Sequence, residues 1–328
     1  MLQIGKLAAA LSVACATGLF YLICRRLAPK AVWPSTLLFA FGTCLFSVAS
    51  QALWMHGPAT LWLCVALYFL TLEEVSMKQA AFAGLALGLA VLTRPTTAFF
   101  AAATVFVLLG QRRWKTFWGL AAGGALPLVI LIALNWIEFG SPVNGGYAQM
   151  GTHPTPPLWL GLSGLLVAPS RGVLVYTPAF LLLPLGIWQI IRSRNTSGSS
   201  SCTLVTGWLL ASIATLLFYA HWWCWSGEWS YGPRYLCETM PVLCLVFALG
   251  YERLHALWSR RLAWGLIALS IMIHLVGIFG HKGDGPWHER HPQPDMSLCL
   301  FEFHDTQIGQ HVLSVIEEFT RSHKKKQS

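Results

Sequence analysis

Charge is what this sequence has least of. Only 11% of its 328 residues are Asp, Glu, Lys or Arg, against about a quarter in an ordinary soluble domain. A chain 55% hydrophobic with mean hydropathy +0.57 cannot bury that much apolar surface behind so few charges in water, so its solvent is a bilayer. Period-two alternation of apolar and polar residues is missing too, which excludes a transmembrane β-barrel. No Cys-x-x-Cys pair occurs among the nine cysteines; those inside apolar runs (Cys15, Cys24, Cys44, Cys64, Cys244) read as small buried hydrophobes. Aspartate is absent before residue 284, the three being Asp284, Asp295 and Asp305. The net charge of +9 comes from short clusters between apolar runs and a terminal "KKK". With no basic stripe on one face, nucleic acid is not an expected partner.

What is present is a series of apolar runs, near residues 4–24, 33–50, 58–72, 79–93, 96–110, 116–135, 176–192, 203–220, 236–250 and 262–280. They predict an all-α polytopic transmembrane bundle of about ten spans. The run 158–175 is interrupted by Gly164, Pro169, Arg171 and Gly172 and predicts a re-entrant or interfacial piece. Residues 1–280 are expected to form the membrane domain, and 281–328 a polar C-terminal tail. Lys and Arg set the orientation. Arg25, Arg26, Lys30, Lys78, Arg112, Arg113, Lys115, Arg192, Arg194, Arg253, Arg260 and Arg261 fall on one side, whereas the other side holds Arg94, Arg171 and Arg234. The first side is expected to be cytoplasmic, leaving both termini and the tail outside.

The unusual residues gather on the expected outer side. "WWCWSGEWSYGPRYL" (222–236) combines Trp222, Trp223, Trp225, Trp229, Tyr231 and Tyr235 with Glu228 and Arg234. Arginine at membrane depth is expensive unless it is paired or snorkels, so Arg94, Arg171 and Arg234 mark a site for an anion, and guanidinium forks suit phosphate. The plainer reading pairs each with Glu138, Glu228 or Glu238. The aromatics equally suit an interfacial belt or a wall against a sugar or lipid chain. Gln51, Trp54 and His56 lie on the same side, with His56 more simply a satisfied histidine than a base. Cys224 and Cys237 flank the aromatic stretch and are placed to pair in an oxidising compartment. In the tail, the spacing of His281, Asp284, His288 and His291 permits a divalent metal, but no metal or other cofactor is called for.

"GLALGLAVLTRPT" (84–96), "NWIEFGSPVNGGY" (135–147), "GLLVAPSRGVLVYTP" (164–178) and "WSGEWSYGPRYLCETMP" (225–241), in this order, resemble bacterial type-C glycosyltransferases of the protein mannosyltransferase and lipid-A aminoarabinose transferase group. The likeness runs from about residue 5 to 280. It implies transfer of a sugar from a polyprenyl-phosphate carrier at the outer face of the bacterial inner membrane, the partners being membrane lipid, the lipid-linked donor and an unidentified acceptor. It also implies carrier-phosphate or cavity contacts for Arg94, Arg171 and Arg234, and a cavity wall of Trp225, Trp229 and Tyr231. That family's catalytic base is an aspartate on its first outer loop, for which this sequence has no counterpart. Residues 1–27 resemble the family's second span, so the sequence reads as a member lacking its first span and catalytic loop, possessing at most a substitute base in Glu228, and inactive as encoded. Two other classes fit the same residues: a non-catalytic polyprenyl-lipid binder or transporter, and an assembly subunit of a glycan pathway.

Overall fold

A computed structural model describes residues 2–142, 155–197, 200–280, 283–291 and 300–327; within them every regular element is helical. The chain runs through α1 (Leu2–Leu27), α2 (Val32–Phe41), α3 (His56–Leu70), α4 (Met77–Thr93), α5 (Ala98–Gly110), α6 (Trp114–Phe139), α7 (Leu158–Val167), α8 (Val173–Tyr176), α9 (Leu183–Ser197), α10 (Ser200–Ala220), α11 (Met240–Tyr251), α12 (Leu257–Phe279), α13 (Asp284–Arg290) and α14 (Gln307–Gln327). Among the described residues, five helical stretches are long and apolar enough to cross a membrane: Gln3–Leu27, Trp114–Phe139, Ser200–Ala220, Arg234–Tyr251 and Leu257–Phe279. Five shorter apolar helices of 10–17 residues accompany them, Leu158–Val167 among the five. The run expected as one span over 33–50 is broken: α2 ends at Phe41, and a π-helical turn, Leu45–Ala49, follows. The Thr43 hydroxyl, donating to the Phe39 carbonyl and accepting from the Leu45 amide, occupies the break.

Local chemistry explains the helix that carries the first arginine. Ser76 and Gln79 form a reciprocal capping box that starts α4, satisfying two of its orphan amides. Pro95 stops it, since the residue before proline is driven out of the α region; Arg94 is extended, at φ −151° and ψ 108°. Between the two ends α4 lies against α6 at backbone contact. A Cβ on Gly84 would come 2.0 Å from the Leu120 carbonyl oxygen, and one on Gly123 would come 1.8 Å from that of Ala81. Such small-residue seams let membrane helices associate where no hydrophobic drive operates between them.

Helix direction sorts the charges to two ends. At one end the Arg26 guanidinium donates to the Tyr68 carbonyl at the close of α3, Arg113 to the Ser200 hydroxyl at the start of α10, and Arg253 to Gln189 near the close of α9. At the opposite ends of these same helices lie His56, which starts α3, Arg94, which follows α4, and Tyr219, which closes α10. α11 is the central post, with nearly every side chain buried, and the 3-10 turn Arg234–Thr239 feeds into it from the His56 end.

Candidate functional site

The starts of α3 and α5, the end of α10 and the loop 221–235 enclose a cavity of about 790 Å³. Its wall is mostly apolar, with Phe99, Phe218 and Trp222 prominent, and its polar groups come from His56, Arg94, Thr96, Tyr219, Glu228 and Arg234. A largely apolar concavity with a few converging polar groups is the usual form of a small-molecule or lipid site.

The two arginines on this wall differ in what meets their charge. Arg94 is buried and fully engaged. Its Nε lies 3.4 Å from Glu238 Oε1, Nη2 donates to the Tyr219 hydroxyl at 2.5 Å, and Nη1 is 2.7 Å from His56 Nδ1 and 3.0 Å from His56 Nε2. Glu238 Oε1 is also 2.8 Å from His56 Nδ1. His56 Nδ1 thus faces both the carboxylate and the guanidinium; with Nδ1–H donating to Glu238, Nε2 is the ring nitrogen left to accept from Arg94. Arg94, His56 and Glu238 thus form a buried ionic cluster in which the carboxylate answers the guanidinium.

Arg234 has no carboxylate within ion-pair distance among the described residues. Its guanidinium lies 5.2 Å from the ring centre of Trp54 and 5.0 Å from that of Tyr235. Nη2 touches the Tyr235 hydroxyl at 3.3 Å, and the buried Nε has no hydrogen-bond partner among the described residues. Cation–π contact to two rings stabilises the charge without neutralising it, so Arg234 presents an uncompensated cation to the cavity. The expectation that Glu228 or Glu238 neutralises Arg234 is corrected here: Glu238 serves Arg94 and His56.

Five sequence-predicted residues lie outside the cavity lining. Arg171 is wholly buried, and its donors go to protein oxygens: Nε to the Ser226 carbonyl, Nη2 to the Glu228 carbonyl at 2.8 Å, and Nη1 to the Ser170 carbonyl and Gln307 Oε1. Trp225 is packed in a second core with Leu165, Tyr219 and Trp287, against Gly164, where a Cβ would meet its ring at 2.0 Å. Tyr231 is buried, donating to the Ile273 carbonyl at 2.9 Å. Trp229 is 59% exposed and stacks on His288 at 4.5 Å between ring centres. Gln51 bonds locally, to the Phe46 carbonyl and the Ser50 hydroxyl. For Trp225, Trp229 and Tyr231 the reason is the shape of the loop: Gly227, Glu228 and Gly232 take φ values of +80°, +45° and +73°, so successive side chains do not alternate about one face as they would on an extended segment.

Tyr219, the stacked Tyr219–Tyr235 pair at 4.5 Å and Gln307 were not singled out from the sequence. Tyr219 closes a strongly apolar run immediately before "HWWCW", a position that could have flagged it. The expected Cys224–Cys237 pairing is not found: Cys237 Sγ lies 3.2 Å from Cys44 Sγ, and all three are free thiols. Burial pushes the Cys224 thiol up to about 12, which leaves it a wall residue with almost no thiolate to act as a nucleophile. Of the tail residues considered for a metal, His281 and the side chain of Asp284 lie outside the described residues. His288 bonds the Glu228 carbonyl, and His291 bonds the Trp287 carbonyl. The described residues contain no cluster of three potential ligands. The later part of the 135–147 motif, from residue 143, also lies outside the described residues.

Residues 3–136 match the sequence model of the dolichyl-phosphate-mannose-protein mannosyltransferase family. The fold is similar to that of ArnT from Cupriavidus metallidurans, solved in the apo state and bound to undecaprenyl phosphate. Each comparison gives TM-score 0.55 and 14% identity over 95% of this chain. The chain spans 61% and 62% of the length of those two structures. No curated protein sequence matches. The chain is thus similar to that mannosyltransferase family over residues 3–136 and to ArnT in fold, and its apolar helices make it an integral membrane protein.

Proposed function

We propose that this chain is a multi-pass protein of the bacterial inner membrane that binds a polyprenyl-phosphate-linked sugar in the cavity beneath loop 221–235, as part of a glycosyl-transfer function. The observation that carries the reading is the contrast between the arginines: Arg94 is paired with Glu238, while Arg234 faces the same cavity with no carboxylate within ion-pair distance among the described residues. A phosphate is the ligand that supplies the missing charge, and the apolar wall of Phe99, Phe218 and Trp222 suits an isoprenoid chain. ArnT bound to undecaprenyl phosphate makes that lipid the first probe. The cavity lies at the bundle end opposite the basic clusters, which supports an outer-face site under the positive-inside rule. Reporters fused after Cys24 and after Gly280 test that placement, and a cytoplasmic signal from the second would overturn it.

Among the described wall residues, Glu228 is the sole carboxylate. This keeps a second reading in view, a polyprenyl-phosphate binder without turnover, because one acid in a loop serves binding and catalysis equally well. The deciding experiment is titration of undecaprenyl phosphate into the full chain in nanodiscs. Wild type should bind, and Arg234→Ala should lose roughly 1.5–3 kcal/mol of affinity, the scale of a hydrogen bond to a charged group. Equal binding by both proteins would remove Arg234 as the phosphate contact.

A further inference from the structure

We propose that Gln307, at the start of the C-terminal helix, is a positioning residue of the cavity: through it the tail holds the loop that presents Glu228 and Arg234. The proposal rests on the cavity reading above and extends it to a segment that contributes no wall residue of its own.

The loop needs an external support. Glu228 is a non-glycine residue in the left-handed region, at φ +45°, between Gly227 at +80° and Gly232 at +73°. Backbone of this kind persists where its surroundings over-determine it. Two supports converge on it. Arg171 holds the Ser226 and Glu228 carbonyls from one side, and His288 Nε2 is 2.9 Å from the same Glu228 carbonyl.

Gln307 ties the supports together. Its side chain is fully buried, and both of its polar atoms are used. Oε1 accepts from Arg171 Nη1, from the Tyr176 hydroxyl at 3.1 Å and from the Gly232 amide at 3.2 Å. Nε2 donates to the Ser230 carbonyl at 2.9 Å, and the backbone amide donates to the Ser170 hydroxyl oxygen at 3.1 Å. One amide group therefore grips the loop at Ser230 and Gly232 and also orients the arginine that grips it at Ser226 and Glu228. Arg234 follows directly: its amide donates to the Gly232 carbonyl at 3.0 Å, and its Cγ sits 3.3 Å from where a Gly227 Cβ would be. A loop released at Gly232 moves the cation.

Two substitutions separate hydrogen bonding from packing. Gln307→Met keeps the volume and removes both polar atoms; Gln307→Glu keeps an acceptor for Arg171, Tyr176 and Gly232. Hydrogen exchange is followed by mass spectrometry on the full chain in nanodiscs, and undecaprenyl phosphate is titrated in parallel. In Gln307→Met, exchange should accelerate across 224–233 while α3 and α4 stay protected, and affinity should fall about tenfold, the equivalent of losing one or two hydrogen bonds. Gln307→Glu, which keeps the acceptor for Arg171, Tyr176 and Gly232 but sets a carboxylate oxygen against the Ser230 carbonyl in place of the Nε2 donor, should recover part of both losses. Unchanged exchange of the loop overturns the proposal, as does a loosened loop with unaltered affinity. Faster exchange spread over α3 and α4 would make Gln307 a general packing residue and overturn it too. The exchange readout needs no ligand, so failure of wild type to bind the lipid would refute the cavity reading while leaving the clamp to be judged by exchange alone.

Discussion

Glu238 and Arg94, 144 positions apart in sequence, meet at 3.4 Å with both side chains buried. This pair fixes where the turn before α11 sits against the end of α4. Removing one partner of a buried pair strands the other's charge and generally costs about 3–5 kcal/mol. Glu238→Ala should therefore destabilise the protein on that scale, measured as the shift in its thermal unfolding in a fixed detergent. Glu238→Gln, which keeps acceptor capacity but not charge, should fall between. An unaltered midpoint for Glu238→Ala would show that the pair contributes nothing net.

The seam between α4 and α6 gives a second expectation. A methyl group at residue 123 would sit 1.8 Å from the Ala81 carbonyl oxygen, which backbone atoms cannot accommodate without separating the helices. Gly123→Ala should lower thermal stability by several kcal/mol on the scale of overpacking, about 1–3 or more, and Gly110→Ala, where no atom lies within 4 Å, should be tolerated. Because α4 carries Arg94 at its end, Gly123→Ala should also disturb the cavity. Similar midpoints for the two variants would disprove close approach at this seam.

Much of this was legible before any coordinates. Sparse charge and recurrent apolar runs fixed a helical membrane bundle, and Pro95 marked the end of α4. The lone arginines picked out two groups that do share a cavity. Less was readable at 222–236, because side-chain direction there depends on three left-handed residues, one of them a glutamate that no glycine pattern announces. Trp225 and Tyr231 turned out to be core for that reason. Arg171, expected to contact the phosphate or to pair with Glu138, Glu228 or Glu238, is held by carbonyl oxygens and a glutamine 136 positions away. No local pattern in a single sequence reports such a pairing, and the same holds for the choice of Glu238 by Arg94.

The tail offers a pH test. Burial pushes the Asp305 carboxyl up, but hydrogen bonds from Arg290 and Gln310, with the charges of Arg290 and His291, hold it below its ordinary value overall. A carboxyl whose folded value is depressed contributes stability above its unfolded value, near pH 3.9, and loses it as pH falls through the lower folded value. Exchange protection around α13 and the start of α14 should hold through neutral pH and weaken in wild type only in that acid window. Asp305→Asn should lower protection at neutral pH and remove the acid step. An acid step that survives in Asp305→Asn would assign it to another group.

The remaining expectation concerns turnover. Moving a sugar from a phosphate carrier to a hydroxyl acceptor forms a bond from the acceptor oxygen to the anomeric carbon, breaks the bond to the carrier phosphate, and requires a group to take the acceptor's proton. A positioned general base commonly contributes about 10²–10⁴-fold. Glu238 is poorly suited to that task, since it is buried and already opposes Arg94 and His56. His56 is no better placed, because Nδ1 lies against both Glu238 and Arg94 and Nε2 also lies against Arg94. Glu228 is the carboxylate left on the wall, carried by a loop and not by a helix, so its aim depends on the contacts of Arg171 and Gln307. We therefore expect slow turnover of a polyprenyl-phosphate-linked sugar by this chain, with Glu228→Gln abolishing what there is while leaving undecaprenyl phosphate affinity within about threefold, less than the loss of one net hydrogen bond. The comparison is donor consumption by wild type, Glu228→Gln and Arg234→Ala under identical lipid conditions. Robust turnover that survives Glu228→Gln would eliminate this residue as the base. Turnover lost in Arg234→Ala but unaffected in Glu228→Gln would make the cavity a phosphate site whose proton acceptor lies beyond the wall described above.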